Sequence, residues 1–538
     1  MKSRLIKVQN EDNVAIALVD LWQGDTVEFE GEEVFILSDT QAKHKISMVD
    51  LAPGDKIYMY GVLVGKATDE IKRGGKLTTE NVKHEANSTF SKSETTQWKA
   101  PDVSKYKDQT FLGYPRPDGQ VGTANVWLFF PLVFCENRNI ELLKDIFEKE
   151  FSFHKSPKQR QLLRNLITGK DDDNVIDFGE DEAAIFDNIE VKFITHQGGC
   201  GGIRQDSVML SKLLAGYVNN PNVAGATVLS LGCQNLQIDI FKNALNKINA
   251  DIKKPVLIYE QQQMGTVEDM LNSIIKDSFE GIKKANEIKR EPAPLSKLKL
   301  GLECGGSDGF SGISANPALG YVSDMLSALG GSPILSEFPE LCGVEQELVN
   351  RCVDDETANK FMDLMKSYEN AAEAVGSGFD MNPSPGNIKD GLITDAMKSA
   401  GAAKKGGTSP IQAVLDYGEY VTKPGLNLLC TPGNDVESTT GMVGSGANVV
   451  VFTTGLGTPT GNPIAPVIKM SSNSTLARRM PDIIDVDAGS VIRGEKTIPE
   501  MGEELFDYII DVASGKIRSK ADLLNQDDFI PWKRGVSL

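Results

Sequence analysis

Apolar positions in the first 85 or so residues come as brief, β-branched runs: AIALVD, DTVEF, EVFIL, KIYMYG and VLVGKA. Turn residues such as Gly24, Gly54, Gly61 and Gly65 break them up. Short runs bounded by glycine predict short strands and a small β module. Residues 86–110 are polar and rich in Ser, Thr and Lys, the composition of a linker. From residue 111 onward, apolar runs (VKFIT, ATVLSL, PVLIY, LKLGLE, PILSE, LNLLC, NVVVFTT) alternate with longer segments. In segments such as FKNALNKINADI and VEDMLNSIIKDSFEGIKKAN, apolar residues recur every three or four positions. Strand and helix patterns in alternation predict mainly parallel α/β layers.

Two polar stretches punctuate this pattern. KDDDNVIDFGEDEAA, within 155–189, reads as a solvated acidic insertion, and IKREPAPLSK at 288–297 separates two larger parts. The expected organisation is a β domain at 1–88 and a linker at 89–110. An α/β domain at 111–290 carries the acidic insertion 155–189, and a second α/β domain follows at 291–538.

Composition narrows the function. Lys+Arg minus Asp+Glu is 56 − 75 = −19 over 538 residues. A partner rich in phosphate would meet net repulsion, which argues against nucleic acid and anionic membrane surfaces. No apolar stretch is long enough to span a bilayer, and the N-terminus lacks a signal-peptide core. Seven cysteines, an odd number, do not make a disulfide framework. The expectation is a cytoplasmic protein with reduced thiols free for metal or catalysis.

Ligands of open α/β sheets bind beyond the carboxyl ends of the strands. There the apolar runs lead into His196-Gln197-Gly198-Gly199-Cys200, Gly232-Cys233-Gln234-Asn235 and Cys304-Gly305-Gly306-Ser307-Asp308. Others lead into Phe338-Pro339-Glu340, Thr431-Pro432-Gly433-Asn434-Asp435 and Gly455-Leu456-Gly457-Thr458. Glycine permits close approach of backbone to ligand. A single cysteine after a strand usually packs as a small hydrophobe. Three glycine-flanked ones at one end of one sheet would converge, so Cys200, Cys233 and Cys304 are the candidate metal ligands. Thiolates suit iron, as a mononuclear ion or a cluster. Cys135, Cys342, Cys352 and Cys430 read as structural. His196 is one of four histidines, and its loop position makes it a catalytic candidate.

Nucleotide signatures fail: GLGTPTGN has Thr460 where a third glycine belongs, and no Walker-type loop, C-x-x-C or H-E-x-x-H occurs. The loops suit hydroxyls and carboxylates, with Arg204, Lys389, Lys404, Lys405, Lys423 and Lys469 nearby in sequence. Lys469, inside the apolar run PVIKM, is the least easily dismissed as a solvated lysine.

Longer blocks carry a resemblance. GYPRPDGQVGTANVWLFFP (113–131), THQGGCGG (195–202), LGCQN (231–235), GLECGGSDGFSGISANPALG (301–320), ILSEFPELCGVEQ (334–346), NPSPGNIKDG (382–391), LLCTPGNDVES (428–438) and FTTGLGTPTGNP (452–463) are similar to blocks of the altronate/galactarate dehydratase family of sugar-acid hydro-lyases. The resemblance covers nearly the whole chain. It implies a small N-terminal SAF-type β domain plus a large catalytic region of mainly parallel α/β layers. One departure stands out. Where the family often carries His-x-His-Asn, this chain has Lys76-Leu77-Thr78-Thr79-Glu80-Asn81, with His84 three residues later.

The resemblance implies dehydration of a sugar acid, with D-altronate as first substrate, 2-dehydro-3-deoxy-D-gluconate as product and Fe2+ as cofactor. An iron–sulfur cluster and Mn2+ are the alternatives to the ferrous ion. Proton removal beside a carboxylate needs cations or hydrogen-bond donors around the developing charge, and a base and an acid within reach. The His44-Lys45 pair resembles the family's His-Lys element and joins His196 and Asp308 as candidate acid–base groups. Ser307, Asn316, Asn387, Asn434, Asp435, Thr458 and Lys469 are candidates for holding the substrate's oxygens. As turn formers, Asn and Asp beside Gly and Pro need no ligand to explain them. A galactarate-type dehydratase and a non-catalytic sugar-acid-binding homologue remain the other readings, and a homo-oligomer remains open.

Overall fold

The computed structural model describes residues 3–85, 91–93, 97–151, 162–163, 165–167 and 185–537. Most of the acidic insertion lies outside the described residues, as do His154 and part of the polar linker.

The N-terminal segment folds as the sequence pattern predicts. Leu5–Ile6, Val14–Ala17 and Lys45–Ser47 form one antiparallel sheet, and Lys56–Met59, Val62–Ala67 and Val82–Lys83 another. Thr26–Phe29 and Glu32–Phe35 make a separate hairpin. Thr26–Phe29 alternates exposed and buried residues, the period of a strand with one wet face. Leu5, Ala15, Leu21, Val27, Val34 and Ile46 form a local core. On its other side Val14, Ile57, Val64 and Leu77 join the core of the C-terminal region, so this β module is packed down rather than tethered.

The middle region is a four-stranded parallel sheet in the order Glu190–Phe193, Val126–Pro131, Val223–Ser230, Val256–Glu260. Its second strand, VWLFFP, is buried along its whole length. Buried on both faces, it shows a continuous apolar run instead of an alternating pattern. A small antiparallel sheet of Val121–Gly122, Thr110–Pro115 and Glu291–Pro294 pairs the entrance of this region with its exit.

The C-terminal region is built on seven parallel strands. Their order is Ile411–Leu415, Leu426–Leu429, Ser332–Leu335, Lys299–Cys304, Val449–Thr454, Val467–Ser471, Val486–Asp487. The chain starts in the middle at Lys299–Cys304, grows to one side, then returns to add Val449–Thr454 on the other. Such a reversal of strand order opens a crevice at the strands' carboxyl ends. Helices Ala315–Ala328 and Ile498–Ala513 cover one face through Leu319, Val322, Leu505 and Phe506. On the other face, Asp435–Gly444 packs against Arg204–Asn219 of the middle region. That approach is close: a Cβ on Gly216 would lie 1.8 Å from the Gly444 carbonyl oxygen. The C-terminal tail crosses the seam, with Phe529 against Tyr217, Trp532 against Tyr417 and Arg534 paired to Asp416. Among the described residues no helix is long and apolar enough to cross a membrane.

Candidate active site

Strands Lys299–Cys304 and Ser332–Leu335 are neighbours, and each ends in acid. Glu303 and Cys304 close the first, and Glu337 and Glu340 follow the second. Cys304 Sγ lies 3.1 Å from Glu340 Oε2 and 3.7 Å from Glu337 Oε2. Among the described residues these are the only three potential metal ligands whose donor atoms all lie within 4.8 Å of one another. Lys405 Nζ donates to Cys304 Sγ and to Glu337 Oε2, both at 2.7 Å. Lys398 Nζ pairs with Glu340 Oε1 at 2.7 Å and donates to Asn382 Oδ1 at 2.6 Å. Glu303 accepts from Ser438 Oγ at 2.6 Å.

The thiol, the three glutamates and the two lysines are buried, and burial sets their protonation. It drives the Cys304 thiol and the Glu303 carboxyl well up, helped by Glu340 at the thiol and Glu337 at the carboxyl. Glu337 is raised for the same reason. Burial also works against Glu340, but Lys398 and Lys405 outweigh it and hold that carboxyl below its ordinary value. Lys405 is raised despite complete burial, because Cys304 and three glutamates surround it. Desolvated charge of this density is costly to fold and marks functional sites. Glu337 adds backbone strain, sitting in the left-handed region at φ 65°. Its Oε1 is buried without a hydrogen-bond partner.

The loop after Cys304 links this cluster to the N-terminal domain. Asp308 is fully buried. Its Oδ1 accepts from the Phe310 and Ser311 amides and the Ser311 and Ser472 hydroxyls. Its Oδ2 accepts from Asn473 Nδ2 at 3.1 Å and meets Lys43 Nζ at 3.0 Å. Lys43 also binds Asp390 at 2.7 Å. Next to it, His44 Nε2 meets the Lys389 carbonyl at 3.1 Å, and Lys45 Nζ donates to the Gly391 carbonyl at 2.6 Å. Glycine is required for this docking: a Cβ on Gly309 or Gly391 would come 2.3 or 2.5 Å from the Lys43 carbonyl oxygen. Burial depresses Lys45 to about 7, and burial with Lys76 and Lys45 depresses His44 to about 4. Lys76 begins the stretch that replaces His-x-His-Asn. Asn81 holds that stretch by accepting from the Thr78 amide and donating to the Lys76 carbonyl. His84 accepts from the Ala396 amide.

Of the remaining candidates, several tie loops together. Asn316 spans the Gly401 carbonyl and the Thr453 hydroxyl, and Asn387 donates to the Ser307 carbonyl while closing a helix-capping box. Asn434 caps the helix Asp435–Gly444. Asp435 is half-buried, with its carboxylate against Gly305; a Cβ there would lie 2.2 Å away. Burial and the neighbouring Glu337 and Glu340 push it to about 7. Thr458 bonds Thr460, and buried Lys469 donates to the Thr460 carbonyl.

Cys200, Cys233 and Cys304, expected to share one ion, are not gathered within 4.8 Å of one another. Cys304 belongs to the seven-stranded sheet, whereas Cys200 and Cys233 follow strands of the middle sheet. His196 is also in the middle region, with Nε2–H donating to the Pro131 carbonyl at 2.7 Å and Nδ1 accepting from the Gly198 amide. The sequence reading missed Glu303, Glu337, Lys398 and Lys43. An acid as the last residue of an apolar run, as in LGLE and ILSE, is the signal that marks the two glutamates.

Comparison with known proteins fits this architecture. Residues 3–85 match the altronate/galactarate dehydratase SAF domain. Residues 113–286 match the second domain of D-galactarate dehydratase/altronate hydrolase, and 295–537 the D-galactarate/altronate dehydratase C-terminal domain. The chain is 34% identical over 516 residues to an altronate dehydratase of Escherichia coli (strain K12), covering 95% of each. It is 34% identical over 540 residues to an altronate dehydratase of Bacillus subtilis (strain 168), covering 100% of each. A galactarate dehydratase (L-threo-forming) of Escherichia coli (strain K12) is 32% identical over 523 residues, 96% of this chain and 94% of that one. The chain belongs to the altronate/galactarate dehydratase family and is a hydro-lyase.

Proposed function

We propose that the protein dehydrates D-altronate to 2-dehydro-3-deoxy-D-gluconate and water in the cytoplasm, at the crevice around Cys304, with ferrous iron as cofactor. The observation that carries this reading is the convergence of a thiol, two carboxylates and two ammonium groups at the carboxyl ends of adjacent central strands. Its support on substrate is the name carried by two relatives matched over nearly their full lengths.

The residues present fit a divalent cation. Cys304, Glu337 and Glu340 are the donors that would hold it, and Glu337 Oε1 is a buried acceptor with no partner. A sulfur with carboxylate oxygens suits iron better than magnesium or calcium. When bound, the ion supplies Lewis acidity toward the substrate's oxygens.

In the reaction the C2–H and C3–O bonds break and water leaves; the enol then takes a proton at C3 and becomes the 2-oxo acid. Asp435, half-buried and facing the loop after Cys304, is placed to exchange the proton at C2. Lys398 and Lys405 put two buried positive charges beside the carbon framework where enolate charge develops. Lys43, His44 and Lys45 bring the N-terminal domain against the Asp308 and Lys389–Gly391 backbone, which excludes water from that side of the crevice.

The test is a panel of hexonates and hexarates incubated with anaerobically prepared, iron-loaded protein. Formation of 2-oxo acid from D-altronate supports the reading. Turnover of galactarate alone overturns the substrate, and tight binding without turnover overturns the enzyme.

A further inference from the structure

The middle sheet carries a second set of thiols, on a different sheet from Cys304. Its three adjacent parallel strands, Glu190–Phe193, Val126–Pro131 and Val223–Ser230, each run at their carboxyl end into a loop bearing one cysteine. These are Cys200, Cys135 and Cys233. The loops are stitched together. The Phe134 amide donates to the Gly198 carbonyl at 3.1 Å, the Leu236 amide to the Gly199 carbonyl at 3.0 Å, and Asn235 Nδ2 to the Gly202 carbonyl at 3.3 Å. Gly199 permits this approach, since a Cβ there would lie 2.1 Å from the Leu132 carbonyl oxygen.

Free cysteine is among the most buried residue types. Here Cys135 and Cys233 are exposed and Cys200 is half-buried; in the C-terminal region Cys342 is half-buried and Cys304, Cys352 and Cys430 are buried. The two fully exposed thiols thus share one end of one sheet with Cys200. Beside Cys200 lies a cavity of about 500 Å³, lined also by Phe134, the His196–Gly199 loop and the tail residues Ile530 and Trp532.

We infer that Cys135, Cys200 and Cys233 hold a cubane iron–sulfur cluster. A single tetrahedral ion with metal–sulfur bonds of about 2.3 Å needs its three sulfurs close together. The trio is not among the ligand groups gathered within 4.8 Å. In a cluster each thiolate binds a different iron, so the ligating sulfurs stand farther apart. Three thiolates leave one iron without a protein sulfur, and the adjoining cavity gives that iron room for an exogenous ligand. His196 does not fill the fourth position, because both of its ring nitrogens are already bonded to backbone. Each thiol gives up its proton on binding, and the cluster's iron and sulfide come from outside the chain.

The full-length protein is reconstituted anaerobically with equal ferrous and ferric iron plus sulfide, a mixture already at the cluster's mean oxidation level. The expected result is broad visible charge-transfer absorbance with about four acid-labile sulfide per chain, and about four iron beyond the single ion of the Cys304 crevice. Cys135→Ser, Cys200→Ser and Cys233→Ser should each lose most of the sulfide, while Cys304→Ser retains it. On unmutated protein, alkylation of the three thiols should be fast before reconstitution and blocked after it. Iron bound without sulfide, sulfide retained by all three serine variants, or unchanged alkylation would each overturn the assignment. None of these readouts uses turnover, so they stand whether or not D-altronate is the substrate.

Discussion

Lys405 Nζ sits 2.7 Å from Cys304 Sγ, with each residue only 1% exposed. An ammonium buried this completely persists only because Glu337 and its acidic neighbours face it. Lys405→Met removes the cation and leaves Glu337 and Glu340 short of a counter-charge. Breaking one side of a buried ion pair costs about 3–5 kcal/mol. The expected outcome is a fall of that size in unfolding free energy for the metal-free protein, measured by urea titration, with turnover down by at least about 100-fold. A variant as stable and active as the parent would remove Lys405 from the site.

Lys43 is the joint between the N-terminal domain and the crevice. Lys43→Ala leaves the buried Asp308 without its cation, and Lys43 meets Asp390 as well. The domain's apolar contacts remain, so it loosens without detaching. The expected readout is faster protease release of the N-terminal domain and a roughly 10-fold loss in kcat/KM, about 1.4 kcal/mol. Lys43→Arg should recover part of it. Loss of activity with unchanged protease resistance would instead place Lys43 in the chemistry.

His196 makes the stability of the middle region depend on pH. Burial pushes its imidazole down to about 4, from about 6.5 in an unfolded chain. Between those values the unfolded state binds a proton that the folded state refuses, so stability falls as pH drops from about 6.5 to about 4. The full loss is about 3 kcal/mol, and stability from this group is flat above about 6.5. Urea titrations of parent and His196→Gln across this range should differ in slope, with the parent steeper. Equal slopes would show that His196 is not the titrating group.

The sequence reveals what repeats and hides what is buried on all sides. Alternating runs mark the N-terminal strands, and the apolar runs from VKFIT to NVVVFTT mark most of the parallel ones. VWLFFP escapes because it sits inside a longer motif, GYPRPDGQVGTANVWLFFP, although it is buried along its length just as VVVFTT is. Missing that strand conceals Cys135, which has meaning only as the residue following it. The same gap makes Cys304 look like a partner of Cys200 and Cys233. Loop chemistry is alike in both sheets, and nothing local says which strands are neighbours. Lys398 and Lys405 sit on the helical stretch Asp395–Gly406, far in sequence from the acids they neutralise, so no spacing rule finds them.

Gly305 offers a way to move the Asp435 carboxylate without changing any charge. A Cβ at this position would lie 2.2 Å from the Asp435 carboxylate, a distance no real contact tolerates. The backbone of Gly305 is held by an amide hydrogen bond to the Thr453 carbonyl at 3.1 Å, so the side chain of Asp435 must yield instead. Gly305→Ala is expected to cost about 1–3 kcal/mol of stability through overpacking. If Asp435 exchanges the C2 proton, kcat should drop by about 100-fold with KM changed little, and Asp435→Asn should do the same. A displacement of 1 Å is enough for such a loss when the geometry of attack is the source of rate. If Asp435 only binds a hydroxyl, both variants raise KM and leave kcat near its parent value, and single-turnover measurements on iron-loaded protein separate the two.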